Sequence, residues 1–597
     1  MTKGLGGASR RQGTTPHPDG DVGRVVRVLP DEPAVGRTFD YLIPPGVDGG
    51  VHVGTRVRVP LGGRRVGGWI VATDVEPPPD VTLRPIAKLS GLGPPAELIE
   101  LARWAAWRWA GRPASFLRTA SPQRVVHDLP APQRRKPTVG VADPLIREAL
   151  TLRRTVLRLP PAADITRLAI AVCAVGNALI LCPTARMAGS LAQALRRAGV
   201  VVAQYPRDWA LGAAGATVVG TRAAAWAPVG DLAAVVVIDE HDEANAQEQA
   251  PTWHARDVAV ERAHRAGVRC VLTSPCPTLE ALAWGRVLAP PRAAERRGWP
   301  IVDVIDRRRD DPRTGLFSTR LVAALRSARR IICVLNRTGR ARLLSCSACG
   351  ELACCEACDA AVAQSEDGGL VCPRCGDGRP VVCTACGATR LKILRQGVSR
   401  AREELEALVG EPVAEITGTT PKEHPSEARV IVGTEAVLHH AAHADVVAFL
   451  DLDQELLAPR YRAVEQAMAL VARAARLVGG KDSGSHPGGR LLLQTRLPRH
   501  EVVLAALHGD PTRVSGSEGL RRQLLRFPPA AALAEVSGPA AEAFVVAFGQ
   551  PLGLEVLGPA DGRWLVRAAD HRTLCDALAA TPRPSGRLRV AVDPLRV

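Results

Sequence analysis

NALILCPTARMAGSLAQALRRAGVVVAQY, residues 177–205, reads as two strand-like apolar runs separated by an amphipathic helix. The alternation continues through ATVVGT (216–221), AAVVVIDE (233–240) and GVRCVLTS (267–274). Apolar runs alternating with helices imply a parallel sheet covered on its faces by helices. A second series, RRIICVLN (329–336), ARVIVGT (428–434), DVVAFLDLD (445–453) and GRLLLQT (489–495), predicts a second lobe of the same kind. The expected fold class is therefore α/β multidomain.

Four Cys-x-x-Cys pairs interrupt the second series: Cys346/Cys349, Cys355/Cys358, Cys372/Cys375 and Cys383/Cys386. Two thiolates three positions apart on a tight knuckle grip one Zn²⁺ together, so eight ligands predict two closed four-cysteine sites. With no ligand position open to water, both zincs are expected to be structural. Gly350, Gly376 and Gly387 follow the second cysteine of three pairs, which fits knuckles better than disulfides. By spacing alone the pairs combine in three ways. The simplest is nested, with Cys355/Cys358 and Cys372/Cys375 inside Cys346/Cys349 and Cys383/Cys386. Cys354 is left over. Cys173, Cys182, Cys270, Cys276, Cys333 and Cys575 lie singly in apolar runs as small core residues, a usage that fits a reducing cytoplasm.

A chain of 597 residues implies three or more domains. No apolar run approaches eighteen residues and MTKGLGGASRRQGTTPHPDGD (1–21) lacks a signal-peptide stretch, so a soluble, cytoplasmic protein with no membrane partner is expected. The net charge of +17 is carried almost entirely by Arg, whose bidentate phosphate grips point toward nucleic acid. An Arg-rich composition also follows from a GC-rich coding sequence, so the charge alone decides little. Residues 1–22 read as a disordered tail. VVRVLP (25–30), TFDYLIPP (38–45), GTRVRVPLGG (54–63) and VGGWIVAT (66–73) form a small β module, followed by helical ELIELARWAAWRWA (97–110) and a linker at DLPAPQRRKPT (128–138). Residues 511–597 read as a mixed α/β cap ending in LRVAVDP.

The ordered strings GTRAAAWAP (220–228), VVVIDEHDE (235–243), WHARDVAVERA (253–263), LTSPCPTLE (272–280), VLNRTGRA (334–341), the eight cysteines, VIVGTEAVL (430–438), FLDLD (449–453), YRAVEQ (461–466) and VARAAR (471–476) closely resemble the PriA family of primosomal replication-restart helicases. TFDYLIPPG (38–46), VLGP (556–559) and VDP (592–594) extend the resemblance over nearly the whole chain. It implies an N-terminal 3′ DNA-end-binding domain (23–120), a linker (121–142) where the family's winged helix is missing, and two RecA-like superfamily-2-type lobes. The lobes would span 143–295, and 296–345 with 387–510; the zinc module (346–386) is inserted into the second, and a C-terminal domain takes 511–597.

An ATP-driven motor needs a Gly-rich loop cradling phosphate, a Lys on the β/γ-phosphates and a Ser/Thr on Mg²⁺. After TVLRL (155–159) the chain reads LPPAADIT (159–166): Pro160, Pro161 and Ala162 replace glycines, Ile165 stands at the Lys position, and only Thr166 remains. Proline has no N–H to donate and Ile cannot neutralise phosphate. Asp239 and Glu240 keep the acidic pair for Mg²⁺, and Arg473 and Arg476 stand as arginine-finger candidates or, with no phosphate loop, as ion-paired structural residues. The family's SATP has become SPCP (274–277), which implies that lobe coupling is lost. The Gly-Thr-Glu element reads Gly397-Val398-Ser399, and a His/Ala run (His439 to His443) replaces Lys-Gly-His.

The front end keeps the family's pattern. Its Phe-Asp-Tyr element, here Phe39, Asp40 and Tyr41, shapes the pocket for a 3′ end: an aromatic face stacks a base and a carboxylate accepts from a free 3′-hydroxyl. Gly62 would allow close backbone approach and Arg84 a phosphate contact, while ordinary core filling is the competing role for the two aromatics. The resemblance thus implies a nucleoid-associated replication restart protein that binds stalled forks and the leading strand's 3′ end and initiates primosome assembly. Its partners would be branched DNA, primosome and helicase-loading proteins and single-stranded DNA-binding protein. Two Zn²⁺ are the expected cofactors, and loss of ATP/Mg²⁺ use and of helicase activity is expected. The alternative is an active 3′→5′ helicase with an atypical phosphate loop.

Overall fold

The computed structural model describes residues 24–32, 35–44, 50–76, 81–132, 137, 143–308, 315–336, 344–365, 368–393, 398–418, 420, 428–481 and 489–596. The expected tail at 1–22, most of the linker beyond 132, the end of VLNRTGRA and Gly397 lie outside these residues. The chain divides into two compact units: one runs to Ile99 and takes back Arg124–Asp128, and the other comprises Glu100–Gln123 and everything from Leu129 on. The division falls inside the helix Ala96–Arg108, earlier than the boundary at 120 read from sequence.

The first unit is an antiparallel sheet in the spatial order Phe39–Leu42, Val25–Pro30, Arg64–Thr73, Arg56–Leu61, Lys88–Leu89. Period-2 alternation sorts its side chains: Val57 and Val59 are buried while Arg56 and Arg58 point the other way. Gly62 and Gly63, with φ of +54° and +79°, make a two-residue hairpin turn that only positive-φ residues form without strain. The exposed Arg64 and Arg65 follow directly.

In the second unit a seven-stranded parallel sheet runs Arg286–Leu288, Arg154–Arg158, Arg269–Ser274, Leu232–Val237, Asn177–Leu181, Thr217–Gly220, Val202–Gln204. Leu179, Ile180, Val235, Val237 and Leu272 are wholly buried, as strands covered on both faces must be. The second lobe is a six-stranded parallel sheet in the order Ile301–Asp306, Arg490–Thr495, Val446–Phe449, Ile331–Val334, Val430–Gly433, Ala414–Ile416. Between Ile331–Val334 and Val430–Gly433 sits the cysteine module, with one two-stranded and one three-stranded ribbon. The C-terminal part is an antiparallel sheet, Leu554–Ala560, Arg563–Ala568, Ala532–Ser537, Arg589–Val592, flanked by the helices Ala541–Phe548 and His571–Ala580. Among the described residues no helix is long and apolar enough to cross a membrane.

Candidate functional site

Four copies of one five-residue knuckle build the cysteine module. In each, the residue after the second cysteine donates its N–H to the carbonyl of the first: Gly350 to Cys346, Asp359 to Cys355, Gly376 to Cys372 and Gly387 to Cys383, at 2.8–3.0 Å. The three glycines take φ of +79°, +80° and +74°, and Asp359 takes +59°, a conformation Asp tolerates better than most residues. The knuckles pair in the nested way. Cys346 Sγ lies 3.6 Å from Cys386 and Cys349 3.6 Å from Cys383, while Cys355 lies 3.5 Å from Cys375 and Cys358 3.5 Å from Cys372. Within each cluster all four sulfurs lie within 4.8 Å of one another. A tetrahedral ion with Zn–S bonds of about 2.3 Å spaces its sulfurs about 3.8 Å apart, so the two donor sets fit zinc. Cys354 joins neither cluster, and burial pushes its thiol up to about 12. The module is tied to the second lobe by Ala361 N–H donating to Leu457 O (3.0 Å) and by Arg496 donating to Gly350 O (2.7 Å).

The cleft between the lobes holds Asp239, Glu240, Arg473 and Arg476, each paired with groups of the chain itself. The strand Arg154–Arg158 leads into LPPAADIT and the helix Thr166–Val175, the strand–loop–helix order of a phosphate loop. There the Asp164 carboxylate accepts from Thr166 N–H at 2.9 Å, placing negative charge at the helix start. Arg476, from the helix Ala463–Val478 of the second lobe, donates from both terminal nitrogens to the two oxygens of Asp239 and from Nε to Pro161 O at 2.7 Å. Arg473 donates to Asp242 at 2.7 Å. Burial alone would raise the Asp242 carboxyl; the Arg473 guanidinium and a backbone N–H overcome it and hold the group down to about 2. Asp239 itself adopts φ +51°, and Glu240 turns away to accept from Thr278 N–H (2.8 Å), Thr278 Oγ1 (2.8 Å) and Arg256 (3.2 Å). Burial pushes Glu240 up, with Arg256 opposing.

The SPCP segment (274–277) runs directly into interlobe bonds. Leu279, just beyond it, donates its N–H to Glu465 of the second lobe at 2.9 Å, and Glu280 accepts from Arg462. Arg522 of the C-terminal helix Thr512–Leu525 bonds Glu465 and Glu518. Beside this network lies a cavity of about 610 Å³ walled in part by Trp104, Trp253 and Trp284. Sequence reading missed Arg256, and also Asp242 and the Pro161 carbonyl, whose partners lie 231 and 315 positions away.

In the N-terminal module the strand Phe39–Leu42 alternates, so Phe39 and Tyr41 face one side and Asp40 the other. Tyr41 belongs to the core and donates its hydroxyl to Pro60 O at 3.1 Å; Phe39 packs at the edge of that core under Arg37, whose guanidinium carbon lies 4.9 Å from the ring centre. Asp40 is held by Arg27, directly opposite it in register, through two bonds of 2.8 and 3.0 Å. Arg27 is a partner the sequence did not single out. Arg84 is exposed, and its backbone carbonyl accepts from Leu42 N–H at 3.0 Å beside the strand. Gly62 owes its positive φ to the hairpin turn.

Residues 27–122 match the family model described as the 3′DNA-binding domain (3′BD) of PriA. The replication restart protein PriA of Treponema pallidum is 28% identical over 380 residues, covering 58% of this chain and 57% of that protein. The Bacillus subtilis protein of the same name is 26% identical and is covered over 42% of its length. The probable replication restart protein PriA of Mycobacterium tuberculosis (strain CDC 1551 / Oshkosh) is 27% identical over 592 residues, covering 89% of each chain.

Proposed function

Taking as premise that this chain is a homologue of the replication restart protein PriA and carries that family's 3′ DNA-binding domain, we propose that it binds stalled or abandoned forks at the leading strand's 3′ end and starts primosome assembly without ATP-driven unwinding. The 3′ end docks at the strand Phe39–Leu42. Asp40, oriented by Arg27, retains lone pairs for a 3′-hydroxyl while its charge disfavours a 3′-phosphate; Phe39, on the other side of the strand under Arg37, supports that strand from the core. Arg64, Arg65 and Arg84, all exposed, supply phosphate contacts that carry no sequence preference. Two structural zincs hold the cysteine module as a rigid projection from the second lobe, a surface for helicase-loading proteins and single-stranded DNA-binding protein.

Arg476 carries the motorless part of this reading. It satisfies Asp239 and binds Pro161, in a loop where two prolines offer no N–H and Ile165 no charge. The deciding measurement is ATP hydrolysis by zinc-replete protein on forked DNA ending in a 3′-hydroxyl or a 3′-phosphate, with fork binding followed in the same samples. Tight binding that prefers the hydroxyl, with hydrolysis at background, is expected. Robust fork-dependent hydrolysis would replace the proposal with a 3′→5′ helicase using an atypical phosphate loop. Binding indifferent to the 3′ group would remove the end-recognition role.

A further inference from the structure

Arg473 and Arg476 lie one turn apart on the helix Ala463–Val478 and both reach across the cleft. Arg476 makes three bonds there, using Nε and both terminal nitrogens, so it binds Pro161 O and caps the Asp239 carboxylate. About fourteen residues away, near the start of the same helix, Arg462 and Glu465 make a second set of interlobe bonds, to Glu280 and to Leu279 N–H. At the rise of an α-helix these two fastenings stand roughly 20 Å apart. Arg186 of the first lobe adds a third, donating to Ala441 O at 3.2 Å. A hinge between the lobes has to break all of them together.

We propose that Arg473 and Arg476 act as an internal ligand of the cleft, latching the two lobes closed in place of nucleotide. The latch rests on the reading above that the cleft takes no nucleotide, and extends it from chemistry to motion. In a two-lobed motor a bound ligand closes the cleft because it binds the closed form better than the open one. Here the closing contacts belong to the chain itself and are always present at effectively saturating concentration. An incoming triphosphate has to displace a bidentate guanidinium from a buried carboxylate and finds no lysine in exchange. The lobes therefore form a fixed body whose outer surface does not respond to ATP.

The test uses full-length, zinc-loaded protein carrying bio-orthogonal donor and acceptor dyes at the exposed positions Arg197 and Ala407, one on each lobe. Single-molecule transfer is recorded with and without Mg²⁺ and a non-hydrolysable ATP analogue. The unsubstituted latch should give one high-transfer population that the analogue leaves unchanged. Arg473→Ala/Arg476→Ala should lose that population in favour of a broad lower one. Arg473→Lys/Arg476→Lys, which keeps the charge but not the bidentate geometry, should show both, and it carries the test if the alanine pair fails to fold. A shift of the native-latch protein on adding analogue overturns the latch, as does a folded variant of either kind that keeps full transfer. Fork-dependent ATP hydrolysis would sink the motorless reading and the latch with it, whereas a transfer change without hydrolysis overturns the latch alone.

Discussion

The cysteine module and the interlobe cleft are both held by groups that seek a cation, and they differ in where the cation comes from. In the module four short knuckles converge eight thiols on two points, each a donor set that fits a metal ion. In the cleft the carboxylates are already filled, by guanidiniums from the facing lobe. A site built for an external cation leaves its ligands converging on a point, whereas one satisfied from within leaves pairs. That distinction separates a donor set that fits a metal ion from carboxylates paired within the chain.

Metal removal should widen the difference most. Chelation, or Cys372→Ser, should drop the zinc content from two per chain to none and to one respectively. Each structural zinc is worth about 10 kcal/mol or more of apparent folding free energy, so the module should lose its protection from proteolysis while the cleft keeps its own. Zinc analysis with limited proteolysis reads both. Arg476→Ala comes next. It strands Asp239, only 3% exposed, and should destabilise the second unit by about 3 kcal/mol in denaturant unfolding, with zinc content unchanged. If stability does not change, the cleft is not held in this way.

Acid should loosen the cleft by a smaller amount. Asp242 sits at about 2 in the folded chain against an ordinary 3.8, so its contribution is present above about pH 4 and is lost as pH falls through about 2. That difference is worth about 2 kcal/mol, and Arg473→Ala should flatten this acid limb of the stability curve. Smallest is Asp40→Asn in the N-terminal module, expected to reduce the preference for a 3′-hydroxyl over a 3′-phosphate about tenfold in competition binding, near 1.4 kcal/mol, without altering stability by more than Arg27 can absorb.

The same contrast explains what was readable in the sequence. The two parallel sheets follow from runs such as NALIL and AVVV, which are uniformly apolar because both faces are covered. The knuckles follow from a spacing of three and a glycine, all within five residues. The Cys355/Cys358 knuckle follows from the same spacing, and only the positive φ of Asp359, where the others have glycine, needed the backbone to be seen. By contrast Arg476 finds Asp239 across 237 positions and Pro161 across 315, and no local pattern marks such partners. Arg27 and Asp40 are 13 positions apart, yet their pairing depends on strand register, which is set by the connection between them. Tyr41 takes the core-filling role, the alternative open to it in the sequence, because strand alternation turns it inward.

The nested pairing of the knuckles also favours an order of assembly. Cys355 and Cys358 reach Cys375 and Cys372 across 20 and 14 positions, whereas Cys346 and Cys349 reach Cys386 and Cys383 across 40 and 34. Closing the longer loop from a disordered chain costs roughly 0.7 kcal/mol more, and once the inner loop is closed its ends already stand near the outer ligands. Loop closure alone therefore favours forming the inner centre before the outer one.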